Sequence, residues 1–373
     1  MLKVFNLSRN VCCVNKIQSI NTTKAVSFHI QFADFKYKRV NSKNSFTMQR
    51  KWNPKLIKFE RNNCAYGVQN YKLLSYNILA QDLLVEHLHL YYKIDNKLLR
   101  WESRLHKLKE EMTILAPDIM CLQEMQYDHL KELVNQLSIA KQNMRLEYVF
   151  KKKTGTRSDG CAIIYDRNKF KLISEQYVEY YTDGVPTLNR ENIAVMAKFQ
   201  PLEDISATFV VATTHLLYNP KREDVRISQV NKLMQAIMDF SDISMSVDNK
   251  NRLPVILTGD FNFTPDTRAF QLLTGLQKRK LISEKSKDVQ YTEDCFQMDA
   301  IDFGMANAAS TYQDQWITVD YILKSRSQRN KKSIHVNSKY KLPYADQCWK
   351  NGRIPNQFFG SDHFSLAIQF SIG

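Results

Sequence analysis

The segment PVILTGDFNFTP, Pro254 to Pro265, is an apolar run that stops at a glycine and then delivers a carboxylate, an aromatic ring and an amide. The run reads as a buried strand, and Gly259 permits a tight exit from it. Asp260 and Asn262 are expected to project to one side, because side chains alternate along a strand. A carboxylate and an amide held side by side suit a water nucleophile: the anion accepts its proton while the amide steadies a phosphoryl oxygen. Taken alone, the same residues also fit a helix-capping turn.

Working outward, the pattern repeats. Apolar runs end in polar groups at Asn77 in LLSYNILAQD, Glu124 in IMCLQEMQ, His215 in VVATTHLLYNP, Asp320 in ITVDYIL, and Asp362 with His363 in FGSDHFSL. The carboxyl ends of strands are where α/β proteins place their chemistry. Each residue has a plainer reading, Glu124 as a helix cap for instance. Asp320 resists one, because it lies inside an apolar run where an unpaired charge is costly. A bond from Asp320 to one ring nitrogen of His363 would satisfy it, fix the tautomer and favour the imidazolium. A purely structural Asp–His pair remains open at this point.

Around these residues strand and helix patterns alternate without repeats. Strands are expected at 71–78, 118–122, 161–165, 193–199, 207–214, 254–257, 317–323 and 364–370, and helices at 127–140, 222–240 and 266–273. Leu98, Trp101, Leu105, Leu108, Met112 and Leu115 fall three or four apart, marking one face of a further helix that Pro117 ends. Many strands with fewer amphipathic helices predict an α/β fold of stacked sheets with helices outside.

The net charge of +15 is unevenly spread. Residues 1–69 hold 13 Lys and Arg against Asp34 and Glu60, and the other 40 bases face 36 acids, so only +4 belongs to the body. The basic composition of the first 33 residues, without an acid, reads either as a mitochondrial targeting segment or as a disordered basic tail. We divide the chain into a basic leader, 1–65, and a catalytic domain, 66–373. The seven cysteines show no C-x-x-C spacing, which argues for a reducing compartment, cytoplasmic or alternatively mitochondrial, and against a zinc site. No apolar stretch reaches the roughly 20 residues of a membrane span.

In order and wording, SYNILAQDLL, LQE, DGCAIIYD, DGVPTLNRENIAVMA, TTHLLYNPKR, GDFNFTP, TVDYI and SDHFSL resemble the endonuclease/exonuclease/phosphatase superfamily. Within it they are similar to the branch of carbon-catabolite-repression deadenylases, nocturnin and Angel proteins, with THLLYNPKR most like the Angel family. The resemblance implies a four-layer α-β-β-α sandwich of two mixed sheets. It implies that Glu124 is the main magnesium ligand, with manganese as a substitute, and that Asn77 and Asp362 complete the shell. Asp260 would activate water, Asn262 and His215 would contact phosphate, and His363, paired with Asp320, would stabilise charge or act as base. Asn192 matches a substrate contact.

The function the resemblance implies is a magnesium-dependent phosphoesterase acting at RNA 3′ ends, Angel-like in removing a 2′,3′-cyclic phosphate. The alternative is a 3′-5′ exoribonuclease or poly(A) deadenylase. A non-catalytic protein of RNA binding or translation control is the rival from another class, and the full ligand set argues against it. Tyr180, Tyr218 and Phe263 are candidates for stacking bases.

Overall fold

In the computed structural model the described residues are 69–244, 251–276, 296–304, 307–327 and 331–373, all within one compact unit, Gln49–Gly373. The basic leader and its boundary lie outside them. Fourteen strands are described: β1 (Tyr71–Asn77), β2 (Ile119–Gln126), β3 (Leu146–Lys152), β4 (Asp159–Asp166), β5 (Phe170–Glu179), β6 (Ile193–Pro201), β7 (Phe209–His215), β8 (Val255–Asp260), β9 (Met298–Ala300), β10 (Thr311–Gln313), β11 (Gln315–Ile317), β12 (Asp320–Ser325), β13 (Ile334–Tyr340) and β14 (Leu366–Ile372). They form two six-stranded sheets, ordered β13-β14-β1-β2-β4-β3 and β5-β6-β7-β8-β12-β9, and the hairpin β10-β11.

Each sheet has one central parallel pair, β1 with β2 and β7 with β8, among antiparallel neighbours. Parallel strands need a crossover, and a helix supplies it in both cases: Trp101–Leu115 in the first sheet, Glu223–Ser241 in the second. Trp101, Leu105, Leu108, Met112 and Leu115 are the buried face of the first crossover, as their spacing predicts, whereas Leu98 belongs to a separate short helix, Asn96–Leu99, and Ala116 ends the crossover in the left-handed conformation just before Pro117. That helix packs with Tyr127–Ala140 over the first sheet; Val230, Leu233 and Ile237 of the second crossover pack on the other. The expected sandwich of two mixed sheets with helices outside is therefore the observed one.

Between the sheets, the end where β1 begins is closed by aromatic rings: Tyr71 lies 4.8 Å from Phe170, and Phe209 lies 5.7 Å from Phe370. The opposite end is polar. There Gln123 Nε2 donates to Thr213 Oγ1 at 2.8 Å, and Asn77 Nδ2 to Asp260 Oδ2 at 3.0 Å, each bond joining one sheet to the other. A strip of buried apolar side chains holds the sheets together, each worth roughly 1.5–3 kcal/mol for the larger residues, while the polar end is left free for chemistry.

Three sequence expectations change. The strand expected at 317–323 is divided: β11 stops at Ile317 and β12 starts at Asp320, because Val319 N–H leaves the ladder for Ser310 Oγ. The strand expected at 118–122 continues to Gln126 through a bulge. Strands β3, β5, β9, β10 and β13 were not expected. Of these β3, β5, β9 and β13 are edge strands, and the half-exposed, charged patterns of β3 and β5, LEYVFKK and FKLISEQYVE, lack the apolar run of a strand buried on both faces.

Candidate active site

Three residues of the second sheet share one row. His215 is the register partner of Asp260 across the parallel β7–β8 pair, and Asp320 is the partner of Asp260 across the antiparallel β8–β12 pair. Residues opposite one another in neighbouring strands place their side chains on the same face, so two carboxylates and an imidazole converge. His363, from the loop before β14, completes the group: its Nδ1 lies 2.8 Å from Asp320 Oδ2, and its Nε2 lies 3.7 Å from Asp260 Oδ2. The expected Asp320–His363 bond is present. Asp260, Asp320 and His363 offer ligand atoms within 4.8 Å of one another.

Asp260 comes off β8 through Gly259. A Cβ on that glycine would sit 2.2 Å from the Thr214 carbonyl oxygen, and its φ is +153°, so the close approach of β8 to β7 depends on it. Asn262 is not the next outward position of a strand, which corrects the alternation argument. It takes φ +52°, donates its N–H to Asp260 Oδ1 at 3.0 Å, and donates from Nδ2 to the Leu216 carbonyl at 3.0 Å. A local turn places it beside Asp260.

The first sheet contributes Asn77 and Glu124. Glu124 is the residue left out of the β2–β4 ladder: Gln123 pairs with Cys161 and Met125 with Gly160. Its φ of +56° re-aims the side chain inward, as bulges beside active sites do. Glu124 accepts Asn77 Nδ2 at 3.0 Å on Oε1 and the Ala80 N–H at 2.9 Å on Oε2. Asn77 thus bridges Glu124 and Asp260. Asp362 accepts the Tyr91 hydroxyl at 2.7 Å.

Electrostatics distinguish the groups. Burial pushes Glu124 above the usual carboxylate range, and Asp362 and Asp159 push it further. Burial and the neighbouring Asp320 push Asp260 up to about 7. His215 is held well below the ordinary histidine value by burial, by Lys153 and by His363, so it is a neutral imidazole. His363 is the reverse: burial opposes its charge, but Asp320, Asp260 and Asp362 together raise it well above the ordinary value. His215 Nδ1 is buried without a hydrogen-bond partner, 3.9 Å from Glu124 Oε1, and its Nε2 is 3.7 Å from Asp260 Oδ2. Oxygen-rich donors in excess negative charge suit a hard divalent cation.

Asn192 donates from Nδ2 to the His215 carbonyl and accepts Gln229 on Oδ1, so it positions His215. Of the stacking candidates, Tyr180 and Phe263 are core residues, and Tyr180 shares a hydrogen bond with Thr214. Their aromatic rings are large apolar surfaces that packing claims first. Tyr218 is exposed.

Three contributors were not singled out from sequence. Lys153, in a KKKTG run that reads as a solvated face, is buried in a 2.6 Å ion pair with Asp159 next to Glu124. Tyr91 binds Asp362. Arg104 is fully buried; its guanidinium donates to the carbonyls of Ile78, Leu79 and Gly360 and to Gln81 Oε1, tying the loop after Asn77 to the loop before Asp362. Its place on the apolar face of a helix was the available signal.

Comparison with known proteins identifies the family and the fold. Residues 74–363 match the model of the Endonuclease/Exonuclease/phosphatase family. Protein angel of Drosophila melanogaster is 44% identical over 307 residues, covering 81% of each chain. Protein angel homolog 2 of Danio rerio is 37% identical over 198 residues, a match spanning 52% of this chain and 34% of that longer protein. The crystal structure of ANGEL2, a 2′,3′-cyclic phosphatase, superposes with a TM-score of 0.70 at 25% identity, covering 88% of this chain and 99% of that one. Among the described residues no helix is long and apolar enough to cross a membrane. The chain belongs to the Endonuclease/Exonuclease/phosphatase family, in its Angel branch, and is a phosphoester hydrolase.

Proposed function

We propose that this enzyme removes 2′,3′-cyclic phosphates from RNA 3′ ends, with magnesium, replaceable by manganese, held by Glu124 and its shell completed by Asn77 and Asp362 partly through water. The observation that carries the reading is the pair of imidazoles flanking Asp260, one neutral and one charged, each 3.7 Å from the same carboxylate oxygen. The similarity to a 2′,3′-cyclic phosphatase supports the substrate. When bound, the cation supplies neutralisation of phosphoryl charge.

The chain's own residues do the rest. Asp260, fixed by Asn77 and the Asn262 N–H, accepts a proton from water and aligns it. Protonated His363, oriented by Asp320, directs Nε2–H toward the developing negative charge. His215, neutral and with Nδ1 unpartnered, is available to a phosphoryl oxygen, and Asn262 has one amide N–H left for another. Water adds at phosphorus, one ribose P–O bond breaks, and the released ribose oxygen takes a proton, leaving a phosphomonoester. A second water releases inorganic phosphate and leaves a 2′,3′-diol.

Two oligonucleotides test this, one ending in a 2′,3′-cyclic phosphate and one in oligo(A) with a free 3′-hydroxyl. Inorganic phosphate from the first without shortening of the second is the expected result. Adenylate released from the second, with the first untouched, would replace the proposal with a deadenylase.

A further inference from the structure

Beside the site lies a cluster of rings and cations that the chemistry above does not use. Tyr92 is 69% exposed and Trp349 60% exposed, large aromatic surfaces left to solvent. The Arg353 guanidinium lies 4.6 Å from the Tyr312 ring centroid and 5.8 Å from that of Tyr92, and its Nη2 donates to the Tyr312 hydroxyl at 3.2 Å. Trp349 meets Tyr312 edge-on at 5.8 Å. Lys93 sits 5.2 Å from the Tyr92 ring centroid, so two cations lie within about 6 Å of that ring.

The cluster is rooted in the catalytic loop at three points. Tyr91, next to Tyr92, donates its hydroxyl to Asp362. Thr311, next to Tyr312, donates to the Asp362 carbonyl at 2.7 Å. Trp316, whose ring is 5.2 Å from Tyr312, stacks at 5.8 Å on Phe364, the residue after His363. A ligand on these rings is therefore continuous with one at Asp362.

We propose that Tyr92, Tyr312, Trp349 and Arg353 form a stacking platform for the unpaired nucleotides immediately 5′ of the reacting end, an inference that rests on the RNA substrate proposed above. Aromatic faces accept any base, and Arg stacks on bases while its charge attracts the phosphate between them. Lys93 and Arg353 supply that charge beside Tyr92. The platform gives single-stranded oligonucleotides an advantage over mononucleotides without selecting a base sequence.

Phosphate release from adenosine 2′,3′-cyclic phosphate is compared with release from a tetranucleotide bearing the same end, for the wild type, the double variant Tyr92→Ala/Trp349→Ala and Tyr92→Phe. At about 1–3 kcal/mol per stacked base, the wild-type preference for the tetranucleotide, as a kcat/KM ratio, falls about 5- to 100-fold in the double variant, carried by KM, and persists in Tyr92→Phe. An unchanged ratio in the double variant overturns the platform. If the wild type releases phosphate from neither substrate, the function proposed above fails, and fluorescence anisotropy of the labelled tetranucleotide still decides: weaker binding by the double variant upholds the platform, and equal binding overturns it.

Discussion

Asp260 and Asp320 are direct partners in the β8–β12 ladder, and His363 binds across them, 2.8 Å from Asp320 and 3.7 Å from Asp260. The two carboxylates raise the imidazole together against the cost of its burial, while burial and Asp320 push Asp260 up. One charged ring therefore serves two acids that would otherwise repel each other in a buried place.

The alkaline limb of the pH–rate profile follows from this pair. In the proposed mechanism His363 must keep its proton to stabilise charge, and against the cost of burial Asp320 raises its pKa. In Asp320→Asn that support is gone, so the alkaline limb moves to lower pH. A kcat/KM profile that does not move would show that His363 is not the titrating acid.

Stability in chelator should depend on pH in the same sense. Asp260 has a folded pKa raised to about 7 from an ordinary 3.8. Between those values the folded state binds more protons than the unfolded one, so stability falls as pH rises through this window. Asp260→Asn should flatten that dependence. Thermal melts at pH 5 and pH 7 check this, and equal slopes in both proteins would contradict it.

Removing the acidic groups should separate chemistry from folding. Asp260→Ala is expected to remain folded by circular dichroism and to lose roughly three orders of magnitude in kcat, the scale of a main positioning or electrostatic element. Activity within tenfold of wild type would remove Asp260 from the mechanism.

Gly259→Ala tests the backbone. Its Cβ would meet the Thr214 carbonyl oxygen at 2.2 Å in a left-handed conformation, so the β7–β8 contact must open and the protein should lose about 2 kcal/mol or more. Urea denaturation measures this. Arg104→Met should likewise cost about 3 kcal/mol, because it strands the carbonyls of Ile78, Leu79 and Gly360, and should lower kcat as the two loops part.

Much of the site is legible in the sequence because each residue ends an apolar run. Asp260, His215, Asn77 and Glu124 stand at or near the carboxyl ends of β8, β7, β1 and β2. The Asp320–His363 bond was legible from the cost of burying a lone charge. Three features were not. The bulge that leaves Glu124 out of the ladder is a register shift between β2 and β4, which only the pairing of two separate strands reveals. The Lys153–Asp159 pair is hidden by the charged run around it. Tyr180 and Phe263 looked like stacking rings because burial depends on tertiary packing, and packing claims both.

The central claim is that Glu124, Asn77 and Asp362 hold one divalent cation where Asp260, His215 and His363 act. Manganese titration followed by electron paramagnetic resonance tests it most directly, on the wild type, Glu124→Gln and Asp362→Asn. The account predicts one bound ion per wild-type chain, weakened at least tenfold in Asp362→Asn and lost in Glu124→Gln while both variants stay folded. Equal binding by all three proteins would contradict it.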